Sequence, residues 1–359
     1  MPPVLPPPAG PNPSPSRKVA PTARDVARLA GVSQSTVSRV LNDSGTSLIS
    51  LSTYQRVREA ATRLGYSPHP LARALRGKRT QLIGLIVREI EDPFFAKFIA
   101  NLSTQARDRG YQIVLGHAHS DPSRALQMTA VLDARNCDAV LLLGDLRDDG
   151  AATQEILNVN PVVVALCRGR SVASVPTVNS DNRAGMALLL EHLYALGHRR
   201  MAFVSGGWLG DIRERLEAYH AFRQSRHLAD GAGYSQADTN DLDGGYRAMR
   251  KLLALPVRPT AVLAADDVMA IGVLKAAGEA GLRVPQDVSV TGFDDIEMTR
   301  FTTPTMTTVR QPVEAMSQRA MEWIVRLLDG GTIPNGEEIE RIQPELVVRQ
   351  STGAAPPSD

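Results

Sequence analysis

The sequence predicts an α/β protein in which a small all-helical N-terminal domain precedes two doubly wound lobes of parallel sheet. Three observations carry this prediction. From residue 82 onward, short β-branched runs alternate with stretches of helical period. Charge is divided unevenly between the two ends of the chain. Residues 22–42 hold two short amphipathic helical patterns joined by a glycine turn.

The alternation begins with LIGLIV (82–87) and a helical stretch over 94–109. YQIVLG (111–116), 122–134, DAVLLLG (138–144), 150–157 and PVVVAL (161–166) follow. After residue 181 a helix bearing Leu188, Leu189, His192 and Leu193 leads to MAFVSG (201–206) and 211–226. Then come 243–253, TAVLAA (260–265), 267–280, VSVTGF (288–293) and 312–328. Parallel strands buried between helices read this way, and so many elements in one sheet would be unusual. Two lobes are expected, with the first crossing near 160–180.

Composition excludes several classes. At 359 residues, with 43% hydrophobic and 22% charged side chains, the chain can bury sizeable cores in two to three domains. No apolar run approaches the ~18 residues that a membrane span needs. Two cysteines, Cys137 and Cys167, cannot build a disulfide framework or a four-cysteine metal site. The N-terminus MPPVLPPPAGPNPSPSR lacks the apolar core of a secretory signal, so a cytoplasmic protein is expected. The net charge of +2 conceals a division. Residues 1–16 carry eight prolines and no charge, whereas residues 17–80 carry twelve Lys/Arg against Asp25, Asp43 and Glu59, a net of +9. Residues 81–359 therefore carry 2 − 9 = −7. A basic head on an acidic body suggests nucleic-acid binding, although a solvated basic face would look the same.

Within the head, Thr22 reads as the N-cap of a helix holding Val26, Leu29 and Ala30, and Asp25 favours its dipole. Gly31 ends it. Ser33 caps a second helix with Val37, Val40 and Leu41 on one face and Gln34, Ser35, Ser38 and Arg39 on the others. Such a pair makes a helix-turn-helix whose second helix fits the DNA major groove, a pattern that any small αα-hairpin shares. Leu64 and Tyr66 are expected in the core of the head.

The string TARDVARLAGVSQSTVSRVLN (22–42) resembles the DNA-binding motif of the LacI/GalR (lac repressor) family of transcriptional regulators. The resemblance continues through TYQRVREAATRLGYSPHPLARALRGKRTQLIGLIV (53–87) to the end of the chain. It implies a helix-turn-helix domain over 19–68, a hinge helix or linker over 69–79 and a two-lobed periplasmic-binding-protein-like core over 80–350. That core would bind an effector and dimerise. A Pro-rich tail (1–18) and a C-terminal tail (351–359) are expected to be disordered. The resemblance assigns Gln34, Ser35 and Arg39 to base edges, and Thr22, Ser33, Thr36, Ser38 and Asn42 to phosphates. In PLARALRGK (70–78), Leu75 would wedge into the minor groove and Ala72 would permit close approach. A helix of under two turns is too short to be stable alone, which suits a switch. Two features depart from the family pattern: a longer Asn42–Thr53 segment, and Tyr54 where arginine is common.

In open parallel sheets ligands bind beyond the C-terminal strand ends. Residues there include Asp92, Phe94 and Phe95, Cys167-Arg168, Arg213 and Arg215, Asp266-Asp267 and Asp294-Asp295. Carboxylates and guanidinium groups suit sugar hydroxyls, and aromatic faces suit sugar C–H surfaces. The resemblance implies effector contacts from Asp92, Phe94, Phe95, Arg215, Asp266 and Asp294, with Arg168 one step from a usual arginine. Phe95 could equally be core, and Asp267 and Asp295 helix caps. Leu166-Cys167 stands where many relatives carry Asp-Arg, and Ala218 replaces a common glycine. The effector is expected to be a sugar or sugar derivative. GGYRAMRKLL (244–253), echoed in purine-responsive relatives, keeps a purine or nucleoside as an alternative.

Enzyme readings find no support in G-x-G-x-x-G, G-x-x-x-x-G-K-[ST] or G-x-S-x-G, none of which occurs. His117 and His119 flank Ala118 with strand-like spacing and lack acid ligands nearby in sequence, so neither metal nor cofactor is expected. The implied partners are a near-palindromic double-stranded operator, a small-molecule effector and a second copy of the chain, with no membrane. No heptad segment follows Arg349, which makes a homodimer the default. A solute-binding protein without DNA function is the rival class.

Overall fold

The computed structural model describes residues 21–41, 49–66, 79–119, 121–128, 131–145, 150–169, 175–207, 210–228, 234–334 and 338–357. The chain divides between Lys78 and Arg79 into two compact units.

The first unit is three helices: α1 (Ala23–Ala30), α2 (Gln34–Leu41) and α3 (Leu51–Leu64). Thr22 and Asp25 form a reciprocal capping box at the start of α1. Gly31 ends that helix at φ 64°, a left-handed conformation that costs glycine little. Ser33 accepts the Thr36 amide and so caps α2, while Ser50 does the same for α3 through Thr53. Val26, Ala27, Ala30, Val37, Val40, Val57, Ala60 and Ala61 make the core, with Leu64 and Tyr66 packed against it as expected. Leu29 instead faces solvent.

The second unit has two lobes. In the first, β1 (Leu82–Val87), β2 (Gln112–His117), β3 (Ala139–Leu143), β4 (Val163–Leu166), β5 (Thr177–Ser180) and β11 (Ile339–Ile342) form a parallel sheet of order β2-β1-β3-β4-β5-β11. Helices α4 (Pro93–Asp108), α5 (Pro122–Gln127) and α6 (Ala151–Val159) link its strands. In the second lobe β6 (Met201–Ser205), β7 (Ser235–Ala237), β8 (Ala261–Ala264) and β9 (Ser289–Thr291) form a parallel sheet of order β7-β6-β8-β9. Its helices are α7 (Asn182–Ala195), α8 (Gly210–Ser225), α9 (Leu242–Leu253) and α10 (Asp267–Glu279). β10 (Thr308–Arg310) and β12 (Glu345–Val347) pair antiparallel beside α7.

The first crossing falls at Asp181, at the edge of the expected 160–180 region, with β5 still in the first sheet. Two details differ from expectation. The helix over 312–328 continues the rhythm of the second lobe in sequence, yet α11 (Val313–Leu328) returns to the first. There Val313, Met316, Ala320, Met321 and Ile324 share a core with Ile83, Phe98 and Leu102. The C-terminal tail is a further correction. Ser351 is buried and donates to Val290 O at 2.6 Å, and the Ala355 amide donates to Leu196 O at 2.8 Å. Residues 351–357 thus run along the second lobe in place of the expected disorder, because their backbone groups find partners there.

Candidate functional site

On α2 of the first unit, Gln34, Ser35 and Arg39 are exposed, and Thr36 and Ser38 half-buried. Val37 and Val40, one helical step away, are buried against α1 and α3. The apolar stripe therefore fixes which face of α2 is free to meet another molecule. Thr22 and Ser33 serve as helix caps through their side chains, and each lies exposed at an amide-rich helix start that also suits phosphate. Asn42, Ala72 and Leu75 lie outside the described residues.

The second unit brings the C-terminal ends of both sheets together around a cleft. Arg88, immediately after β1, faces Asp211 in the first turn of α8 at 3.9 Å. Asp92 caps α4 through the Phe94 amide at 2.9 Å. Asp266, after β8, caps α10 through the Met269 amide at 2.7 Å. Arg215, four residues into α8 from Asp211, is almost fully buried. It donates to Asn182 Oδ1 at 2.8 Å and to the Ala265 carbonyl, lies 3.6 Å from Asp294, and stacks 3.7 Å from the Phe293 ring centroid. Asp294 adopts φ 120° and accepts from Gln311 Nε2 at 2.6 Å. That backbone conformation is strained for any residue but glycine and points to an imposed side-chain position.

The electrostatics follow from this crowding of carboxylates. Burial, then the nearby Asp266 carboxylate, lifts Asp92 to about 6, against the pull of Arg88. Burial likewise raises Asp266, and raises Asp294 well above the ordinary carboxylate range in spite of Arg215. Four acids, Asp92, Asp211, Asp266 and Asp294, share one low-dielectric region with two guanidinium groups. Such a set has more acceptors than donors. A cavity of 620 Å³ opens here, lined by Arg88, Glu89, Asp92 and Pro93 from one lobe and by Asn240, Asp241 and Val268 from the other. A second, of 650 Å³, is lined by Phe94, Lys97, Asp294 and Ile296 among others.

Sequence reasoning and structure part at several residues. Phe95 is fully buried in the first-lobe core, its ring 4.7 Å from the Arg88 guanidinium, so it supports an arginine and presents no stacking face to the cleft. Phe94 packs edge-on against Phe98 at 5.2 Å yet reaches the second cavity. Arg168 donates to Thr153 Oγ1 at 2.8 Å inside the first lobe, and its amide donates to Asn179. Its guanidinium thus points into that lobe, which corrects the expectation of an effector contact. Asp267 is not a cap. It accepts from Thr308 Oγ1 at 2.6 Å and the Ile296 amide at 2.9 Å. Asp295 is also no cap, being paired with Arg349 and Arg310. Arg88, Asp211 and Asn182 were missed. A strand-end arginine at position 88 was the one available signal; Asp211 and Asn182 join the cluster only through tertiary folding.

Fold and site together define a DNA-binding regulatory protein with a small-molecule cleft. Residues 22–69 match the model for bacterial regulatory proteins of the lacI family, and residues 190–352 match the periplasmic binding protein-like domain. The chain is 33% identical over 342 residues to the HTH-type transcriptional repressor CytR of Escherichia coli K12, covering 95% of this chain and 98% of that one. It is 33% identical to the ribose operon repressor of the same organism, covering 87% and 94%. Among solved structures, the lac repressor dimer bound to operator and the anti-inducer ONPF superposes with a TM-score of 0.81 at 26% identity, covering 94% of this chain and 100% of that one. A transcriptional regulator CelR–cellobiose complex gives 0.69 at 30% identity, covering 92% and 99%. The chain belongs to the lacI family of bacterial regulatory proteins. Among the described residues no helix is long and apolar enough to cross a membrane.

Proposed function

We infer that this regulator represses transcription as a homodimer on a near-palindromic operator, and that a polyhydroxylated small molecule, a sugar or a nucleoside, sets its operator affinity from the interlobe cleft. The observation that carries the reading is the surplus of buried acceptors around Arg88 and Arg215. Adjacent hydroxyl groups supply donors to the carboxylates and acceptors to the guanidinium groups. Relatives agree in kind, with a ribose operon repressor and a cellobiose complex among them.

Binding across the cleft would change the angle between the lobes and so bias residues 69–79 between folded and unfolded states. Two copies of α2 would occupy successive major grooves, with Gln34, Ser35 and Arg39 toward base edges. Leu75 would kink the minor groove between them. The protein acts by binding and not by turnover, in the cytoplasm where its DNA lies.

Gel-shift titration of the chain's own upstream DNA, with and without a panel of sugars and nucleosides, tests the reading. A specific shift that one of them alters is expected, and Asp294→Ala should remove that response while preserving the shift. A parent chain with no preference for this DNA over random sequence would overturn it. Leu75→Ala should weaken the shift and lower the bend angle; an unchanged bend would remove Leu75 from the groove.

A further inference from the structure

At the mouth of the first lobe, beside the cleft, Glu89 joins His117 and His119, a pair two residues apart but nearly thirty residues further along the chain. β1 and β2 pair in parallel with Val87 opposite His117, and the Ala118 amide donates to Val87 O at 2.9 Å. Glu89 and His119 each lie two residues beyond that register pair. A parallel strand pair thus delivers both to the same end of the sheet. His117 Nε2 lies 2.9 Å from Glu89 Oε1, and the two imidazole centroids are only 3.4 Å apart. His119 adopts φ 51°, a left-handed conformation uncommon outside glycine, in the segment that stacks the two rings. One donor atom from each of Glu89, His117 and His119 lies within 4.8 Å of the other two.

We propose that Glu89, His117 and His119 bind a divalent transition-metal ion of the zinc class at the rim of the cleft. Two imidazoles and one carboxylate are a donor set suited to zinc and to nickel or copper, and poorly suited to magnesium or calcium, which prefer oxygen. Donors at about 2.0–2.2 Å from a tetrahedral ion lie roughly 3.3–3.6 Å apart, so small side-chain rotations suffice. Arg88, next to Glu89 in sequence, is directed to Phe95 and Asp211. Glu89 also lines the 620 Å³ cavity. An ion there would leave coordination positions for solvent or a hydroxylated ligand. The inference goes beyond the effector reading and stands without it.

The test is calorimetric titration of the full chain with Zn²⁺ at neutral pH, repeated on His119→Ala, Glu89→Gln and a His227→Ala control. His119 and His227 are both exposed, so neither substitution should disturb folding. One ion per chain is expected, with affinity lowered at least ~10-fold by His119→Ala and by Glu89→Gln and unchanged by His227→Ala. Substituted Co²⁺ should give visible absorption bands that His119→Ala removes. No saturable binding, or variants that bind as the parent does, would overturn the proposal and leave a plain histidine–carboxylate pair.

Discussion

Arg88 and Asp211 face each other across the interlobe cleft at 3.9 Å, both largely buried, and neither Arg88 Nη1 nor Asp211 Oδ1 makes a hydrogen bond to the described residues. Most buried polar atoms in folded proteins are satisfied, and these two, facing each other across the cleft, are free to hydrogen-bond a molecule that enters it. Arg215 differs. Its neighbours Asn182, Ala265, Asp294 and Phe293 hold it from several directions. One arginine is poised toward the cleft and the other is built into its wall.

That contrast predicts opposite phenotypes. Arg88→Met should leave unfolding stability within about 1 kcal/mol of the parent, because a loosely paired buried cation is replaced by a side chain of similar length. Its effector affinity should fall at least tenfold. Arg215→Ala should cost about 3 kcal/mol of stability, since it removes a buried, well-packed side chain from Phe293 and leaves Asn182 Oδ1 and the Ala265 carbonyl without their donor. Denaturant melts and ligand titrations on both variants check this; similar stability losses would show that the two arginines are equivalent.

Asp92 makes a pH-dependent prediction. A carboxyl raised from its ordinary 3.8 to about 6 holds its proton more tightly in the folded chain. Its burial therefore costs nothing below about pH 3.8, costs progressively more as pH rises, and reaches its full cost above pH 6. Asp92→Asn keeps a competent N-cap for α4 and removes the charge. The variant should be more stable than the parent by about 1–2 kcal/mol at pH 7–8, after solvent screening, and equal to it near pH 4. A constant difference across that range would exclude Asp92 as the titrating group.

Packing of α9 on α10 depends on glycine. A Cβ at Gly272 would sit 2.0 Å from Leu242 O and 2.8 Å from the Tyr246 amide nitrogen, both backbone atoms that cannot move alone. Gly272→Ala should destabilise the second lobe by more than about 2 kcal/mol, although alanine is the better helix former. Thermal unfolding measures it, and a stabilised variant would mean the two helices separate readily.

In the head, Arg39→Ala should cost about 1–3 kcal/mol on the specific operator if its guanidinium reads a base edge. Competition titrations against random DNA separate the roles. An equal loss on both sequences, with a salt slope reduced by about one, would place Arg39 on a phosphate.

Much of this was legible in the chain itself. Val26 and Ala30 on α1, and Val37 and Val40 on α2, recur at helical spacing, Thr22 and Gly31 bracket a helix, and β-branched runs mark the buried strands. Those signals are local, because hydrophobic period, capping and turn chemistry act within a few residues. The strands read least well were β5, β7, β10, β11 and β12, which are short and in part polar. TVNS becomes a buried strand because β4 and β11 pair with it on either side, and its buried Asn179 is satisfied by hydrogen-bonding the Arg168 backbone in both directions.

The residues alone carry the helix-turn-helix head, the charge division and the two-lobed parallel plan. Long-range packing is what returns α11 to the first lobe, lays residues 351–357 along the second and turns Phe95 and Arg168 inward. It also decided that Arg88 meets Asp211 and that Glu89 meets two histidines. The physical reason is range: a strand or helix is chosen by neighbours along the chain, whereas a site is assembled by side chains whose approach depends on register and crossings between distant segments.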